Sequence, residues 1–217
     1  MIVFIPIKHN SQRVPGKNFR LFNGEPLFRH TLLKYKDHNV YVDTDSDELL
    51  SQINNDQELK HVVCYKRRME LVGDMVSVCD LLNNFIQSYN ITVPIAQIHV
   101  TSPFLSVDTV ESAYKKIKNN QFDSVASCTV YNSRFWRKEN YGFCPINHNP
   151  VKLEQTQDLP KFYEENSAFY IFKPKVILEL NSRIGRHPHF YPIDKIQSID
   201  IDTEDDWNFA VKMNGVF

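Results

Sequence analysis

Short apolar runs alternate with amphipathic segments along this chain, and that alternation constrains the fold more than any other feature. Ile2–Pro6 reads as a buried strand, and Pro26–Lys36 as a short helix opened by proline. Val40–Asp43 is a second strand. Asp45-x-x-Glu48 then has the form of a capping box, leading into Leu49, Leu50 and Ile53. His61–Tyr65 is a strand, and Asp74–Tyr89 a helix with Val78, Leu81, Leu82 and Phe85 inward. Ile95–Val100 is a strand, and Ser106 caps a helix carrying Val107, Val110, Tyr114 and Ile117. Ser124–Val130, Ala168–Lys173 and Ser198–Ile201 complete the strands, and Thr203-x-x-Asp206 caps a last helix, Glu204–Met213. Strands alternating with helices predict an α/β, doubly wound, mostly parallel sheet. Such sheets bind ligands at the strands' carboxyl ends.

The 217 residues fit one domain, 1–217, with an irregular, aromatic-rich extension over residues 131–160. Twenty-five Lys and Arg against 26 Asp and Glu leave a net charge of −1, which argues against a nucleic-acid binder. Mean hydropathy is −0.40, and no apolar run reaches the ~18 residues of a membrane span. No export signal is read at Met1–Ile7, so a cytoplasmic, reducing setting is expected, with the four cysteines as free thiols. Cys64 and Cys128 sit in strand-like runs and read as core. His187-Pro188-His189 reads as a surface loop, because no third metal ligand stands near it.

The loop Ile7–Asn18, directly after the first strand, holds Lys8, Arg13 and Lys17 and no acidic residue. Three cations beside a polar turn suit an oligophosphate. A solvated basic loop is the alternative. Gly16-Lys17 lacks the earlier glycine and the Ser/Thr of a Walker loop. A second motif lies near the C-terminus. In Ser198-Ile199-Asp200-Ile201-Asp202, strict alternation puts Asp200 and Asp202 on one face and Ile199 and Ile201 in the core. Neighbouring carboxylates repel, and a divalent cation relieves the repulsion. Oxygen ligands alone point to Mg²⁺. Helix capping is the alternative; it accounts for Glu204, Asp205 and Asp206 but poorly for Asp200.

The loop Ile5–Asn18 resembles the N-terminal nucleotide loop of the acylneuraminate cytidylyltransferases, the CMP-sialic acid synthetases. Val42-Asp43-Thr44-Asp45-Ser46, Arg67-Arg68-Met69-Glu70-Leu71 with Asp74, and His99-Val100-Thr101-Ser102-Pro103 are similar to later motifs of that family, in the same order. So are Gln157-Asp158-Leu159-Pro160, Asn166-Ser167-Ala168-Phe169-Tyr170 and Ser198-Ile199-Asp200-Ile201-Asp202-Thr203. The resemblance implies a Rossmann-like fold of the nucleotide-diphospho-sugar transferase type. It implies CMP transfer from CTP to an acidic keto-sugar with Mg²⁺ and release of pyrophosphate. It also implies a homodimer built through the extension. Lys8, Ser11, Gln12, Arg13, Lys17, Asn18 and Arg67 would bind nucleotide, with Lys17 and Asp202 catalytic. Asp200 and Asp202 would hold the metal. Gln157, Asn166 and Tyr170 would contact the sugar. His99 would contact sugar or ribose, or be a satisfied core histidine.

The chain also departs from that pattern. Lys8 replaces an arginine and loses its bidentate fork. Gln12 replaces a lysine, His99 a glutamine, Thr156 a basic residue and Ser167 a glycine. The nucleotide half is therefore better kept than the sugar half. An eight-carbon sugar acid such as Kdo as substrate, or a non-catalytic nucleotide-binding relative, stays open as an alternative.

Overall fold

The first strand, β1 (Ile2–Ile7), lies in the interior of the central sheet. The structure is a computed structural model that describes residues 1–11, 13–118 and 121–215. After β1 come a two-strand ribbon, β2 (Leu21–Phe22) and β3 (Glu25–Pro26), then α1 (Leu27–Lys34), β4 (Asn39–Thr44), α2 (Asp47–Asn55) and β5 (Val62–Lys66). The chain continues through α3 (Val78–Ser88), β6 (Ile95–Ile98), α4 (Val107–Lys118) and β7 (Ser124–Tyr131). A hairpin of β8 (Trp136–Glu139) and β9 (Gly142–Pro145) leads to β10 (Phe162–Phe172). Helix α5 (Pro174–Leu180), β11 (Pro188–Pro192) and α6 (Glu204–Asn214) finish it.

Seven strands form one sheet in the order β11-β7-β10-β6-β1-β4-β5. Pairings of β1 with β4 and β6, of β4 with β5, and of β7 with β11 are parallel, as expected. Strand β10 runs antiparallel to both β6 and β7, an inversion the sequence pattern does not reveal. Residues alternate across the sheet. Val3, Ile5 and Ile7 pack with α2 and α4 on one face. Phe4, Ile95 and Phe172 pack with α3 and α5 on the other. Both faces are covered, so the strands read as continuous apolar runs.

Several expectations shift. Ser46, not Asp45, caps α2: its hydroxyl accepts from the Leu49 N–H at 3.1 Å. Helix α3 begins at Val78 behind a Ser77–Asp80 capping box, so 74–77 is loop. His189 belongs to strand β11 and stacks on Phe122, not to a surface loop. Cys128 is fully buried, while Cys64 is only half-buried on the edge strand β5. Residues 131–160 contain the β8–β9 hairpin. The largest correction is Ser198–Ile201, which forms no strand. It lies past the carboxyl end of β6, tied by the Ile201 N–H to the Thr101 carbonyl at 2.9 Å. Ile201 is buried among Phe22, Leu27 and Trp207, and that anchor fixes its two acidic neighbours.

Candidate functional site

The loop after β1 organises itself before any ligand arrives. Gly16 sits at φ +63°, the left-handed region that glycine enters without a Cβ penalty. That turn lets the Lys17 N–H reach the Val14 carbonyl at 3.1 Å. The Val14 N–H donates to the Ser11 hydroxyl at 3.3 Å, and the Asn18 amide to the Lys8 carbonyl at 2.8 Å. The loop walls a crevice of about 340 Å³ at the carboxyl end of the sheet. Lys8, Ser11, Arg13, Lys17 and Asn18 line it on one side, and His99 and Thr101 on the other. Gln12 lies outside the described residues.

Lys17 joins the two motifs that stand far apart in sequence. Its ammonium donates to the Ile201 carbonyl at 2.6 Å and lies 3.9 Å from the Asp202 carboxylate. Burial pushes this lysine below its ordinary value, while Asp202 and Asp200 pull the other way. Arg13 donates to the same Asp202 oxygen at 2.7 Å. Asp202 is thus held by two cations. Asp200 has the opposite surroundings: its Oδ1 is buried and has no hydrogen-bond partner among the described residues. Burial pushes its carboxyl up, and neighbouring Asp202 adds to the shift. Thr101, Lys17 and Arg13 work against it.

These donors fit a hard divalent cation. A buried carboxylate oxygen without a partner costs free energy that a cation would recover. Among the described residues no group of three or more His, Cys, Asp or Glu could hold a metal. The chain would therefore supply two carboxylates and leave other positions to water and substrate phosphates, the usual manner for Mg²⁺.

Other expected residues lie elsewhere. Arg67 is not open to the crevice; its side chain is 1% exposed and paired with Asp43, 0% exposed. The guanidinium donates to the Asp43 carboxylate, and the Arg67 N–H to the Thr44 carbonyl at 2.7 Å. A buried carboxylate at the end of β4 claims the arginine before a nucleotide could. Gln157 is exposed on the extension and bonds Gln155. Asn166 donates to the Thr129 hydroxyl at 3.1 Å, and the Tyr170 ring is buried. His99 does line the crevice; burial, with Arg183 and Lys17 adding, pushes its imidazole down to about 4. It is neutral at pH 7. Sequence reading gives no role to Asp74, which it names only within a motif and which pairs with Lys8 at 3.5 Å across the crevice mouth. It also missed Gln97 and Arg183, which stand behind His99.

A family model described as Cytidylyltransferase matches residues 2–213. The chain is 26% identical over 215 residues to the N-acylneuraminate cytidylyltransferase of Streptococcus agalactiae serotype V, covering 95% of this chain and 51% of that protein. This chain thus spans about half the length of that relative. It is 28% identical over 230 residues to the CMP-N,N'-diacetyllegionaminic acid synthase of Legionella pneumophila, covering 98% and 95%. The fold is similar to that of a CMP:2-keto-3-deoxy-manno-octonic acid synthetase solved with CTP, at a TM-score of 0.68 and 13% identity, covering 99% and 98%. Among the described residues no helix is long and apolar enough to cross a membrane.

Proposed function

This chain belongs to the cytidylyltransferase family, and on that premise we propose that it transfers CMP from CTP to an acidic keto-sugar of the N-acylneuraminate type, releasing pyrophosphate. One observation carries the reading. Lys17, buried at the floor of the crevice, connects the cationic loop after β1 with the carboxylates Asp200 and Asp202. Triphosphate recognition needs fixed cations, and this loop places three on one crevice. Related proteins named for N-acylneuraminate and diacetyllegionaminic acid support the sugar class.

The chemistry follows from position and charge. A sugar hydroxyl oxygen attacks the α-phosphorus of CTP and gives up its proton to solvent; the new P–O bond forms, and the bond from the α-phosphorus to the bridging oxygen breaks to release pyrophosphate. Lys17 and Arg13 stabilise charge on the phosphates, and the rigid Gly16 turn holds them in place. Asp200 and Asp202 would hold Mg²⁺, which when bound supplies further neutralisation of phosphate charge. Arg13 would then leave Asp202 for a phosphate, exchanging one anion for another.

The reading also places the chain in the cytoplasm as a homodimer assembled through residues 131–160. Its free cysteines support the first point. Large exposed side chains on the extension support the second: Trp136, Tyr141, Phe143, Val151 and Leu153 all face solvent in a single chain.

The direct test measures pyrophosphate release from CTP and Mg²⁺ with N-acetylneuraminate, a legionaminic-type acid and Kdo in parallel. Turnover of a nine-carbon acid is expected. Lys17→Ala should lower the rate far more than Lys8→Ala, because Lys8 is a half-exposed point charge already paired with Asp74. Turnover of Kdo alone would reassign the sugar. Failure to bind CTP at all would refute the nucleotide reading.

A further inference from the structure

We propose that Arg183 is a positioning residue which, acting through Gln97, holds His99 as its Nδ1–H tautomer and so presents a neutral hydrogen-bond donor to the crevice. The role of that donor in turnover rests on the cytidylyltransferase reading, whereas the tautomer itself does not.

Three side chains form the relay. Arg183 donates from Nη1 to the Gln97 Oε1 at 2.9 Å. The Gln97 Nε2 lies 2.8 Å from the His99 Nε2. A guanidinium has only donors, so the oxygen of the Gln97 amide must be the atom facing it. That choice turns the amide NH₂ toward His99. An NH₂ group has nothing to accept with, so the His99 Nε2 must be a bare acceptor. In a neutral ring the proton then sits on Nδ1. An imidazolium would set N–H against N–H and break the relay.

The relay has little freedom to rearrange. Gln97 is fully buried in β6, opposite Tyr170 of β10. The Arg183 guanidinium lies over the Tyr170 ring, 3.8 Å from its centroid. The Tyr170 hydroxyl is held by Ser167 at 3.0 Å and by Glu165. Among the described residues no carboxylate pairs with Arg183, so nothing competes with Gln97 for it. The His99 Nδ1 has no partner among the described residues and is absent from the buried atoms left unpaired, so it opens to the crevice.

The charged groups around the ring favour the same state. Arg183 stands behind it, Lys17 and Lys8 approach from the β1 loop, and Asp74 lies across the crevice. Asp200 lies beyond Thr101. The nearest charges are cations, and burial adds to their effect. His99 stands where the resemblance expects a glutamine. A neutral Nδ1–H can make the donor contact of an amide N–H to an oxygen of a ligand in the crevice; a charged ring would lose the Gln97 bond that fixes its direction.

The test reads the ring directly. Protein carrying ¹⁵N-histidine is examined by long-range ¹H–¹⁵N correlation across pH, as wild type, Arg183→Met and Gln97→Glu. The wild type should show His99 as the Nδ1–H tautomer at pH 7. Arg183→Met removes a cation and frees the amide to turn, so the midpoint of His99 should rise by roughly one pH unit or more. In Gln97→Glu the carboxylate can only accept, so the ring should switch to a proton on Nε2. Gln97→Glu keeps the arginine contact and reads the switch even if Arg183→Met folds poorly. In kinetics, kcat/KM of Arg183→Met should acquire an acid limb that His99→Gln in the same background removes. A wild-type ring protonated on Nε2, or an unchanged tautomer in folded Gln97→Glu, would overturn the proposal. A normal tautomer in a protein that turns over no CTP would refute the enzymatic reading and leave the relay standing.

Discussion

Replacing Arg67 with methionine isolates one buried charge and gives a magnitude that can be checked. The Arg67 side chain is 1% exposed and its partner Asp43 is 0% exposed. Among the described residues the Asp43 Oδ2 has no hydrogen-bond partner even in the wild type. Methionine fills much of the volume of the arginine and leaves the carboxylate without a cation, beside the Tyr65 hydroxyl. Breaking a buried pair from one side costs about 3–5 kcal/mol. A second route sets the ceiling. Asp43 can escape by taking a proton, and protonating a carboxyl of unfolded pKa about 3.9 at pH 7 costs about 4 kcal/mol. The two agree, so Arg67→Met should lose about 3–4 kcal/mol at pH 7. Burial already raises the Asp43 carboxyl above its ordinary value, against the pull of Arg67. In the variant the folded value rises further above the unfolded one. The stability lost relative to the wild type should therefore return as pH falls, by up to about 1.4 kcal/mol per unit, until the wild-type carboxyl, itself raised by burial, also protonates. Urea denaturation at a series of pH values measures this. Adding Asp43→Asn should recover most of the loss and flatten the pH dependence. A loss below about 1 kcal/mol at pH 7, or one independent of pH, would refute the claim that the pair is dry and interdependent.

Three further outcomes follow from the geometry. Asp200→Asn should cut turnover by orders of magnitude yet leave the melting temperature unchanged or raised. The folded Asp200 carboxyl titrates above its unfolded value, so its ionisation opposes folding at neutral pH; Mg²⁺ should stabilise the wild type and not the variant, as differential scanning fluorimetry will read. Ser167 occupies φ +60°, so Ser167→Gly should stabilise the fold by roughly 0.5–1 kcal/mol in denaturant titration, less whatever its contact to Tyr170 contributes. Light scattering at micromolar concentration should give twice the chain mass for the wild type and a monomer when Tyr141, Phe143 and Leu153 are replaced by aspartate; a wild-type monomer would contradict the assembly reading.

Much of this molecule could be read from its chain. Strands β1, β4 and β6 are short, apolar and buried on both faces, and local composition alone marks such strands. The capping box at Thr203 and the serine cap at Ser106 depend on residues within one turn. The cationic loop and the pair Asp200 and Asp202 were visible for the same reason: their spacing is local. Their meeting was not. Lys17 and Ile201 are far apart along the chain, and only the packing of Ile201 against Phe22 and Trp207 brings that carbonyl to the ammonium. The alternation of Ser198–Asp202 suggested a strand, but its Ile201 N–H bonds Thr101 outside any ladder, so tertiary contact replaced the sheet. The antiparallel course of β10 was hidden too, because a buried strand has the same composition in either direction. Arg67 shows the limit from the other side. The family resemblance implied a nucleotide contact for it, and an internal carboxylate on a neighbouring strand had already claimed it. Arg183 carried no local signal at all. Sequence determined which groups this chain can offer, since residue type and near spacing decide that. Tertiary structure decided which face ligand and which face one another, because burial and long-range partners set the free energy of every charged side chain.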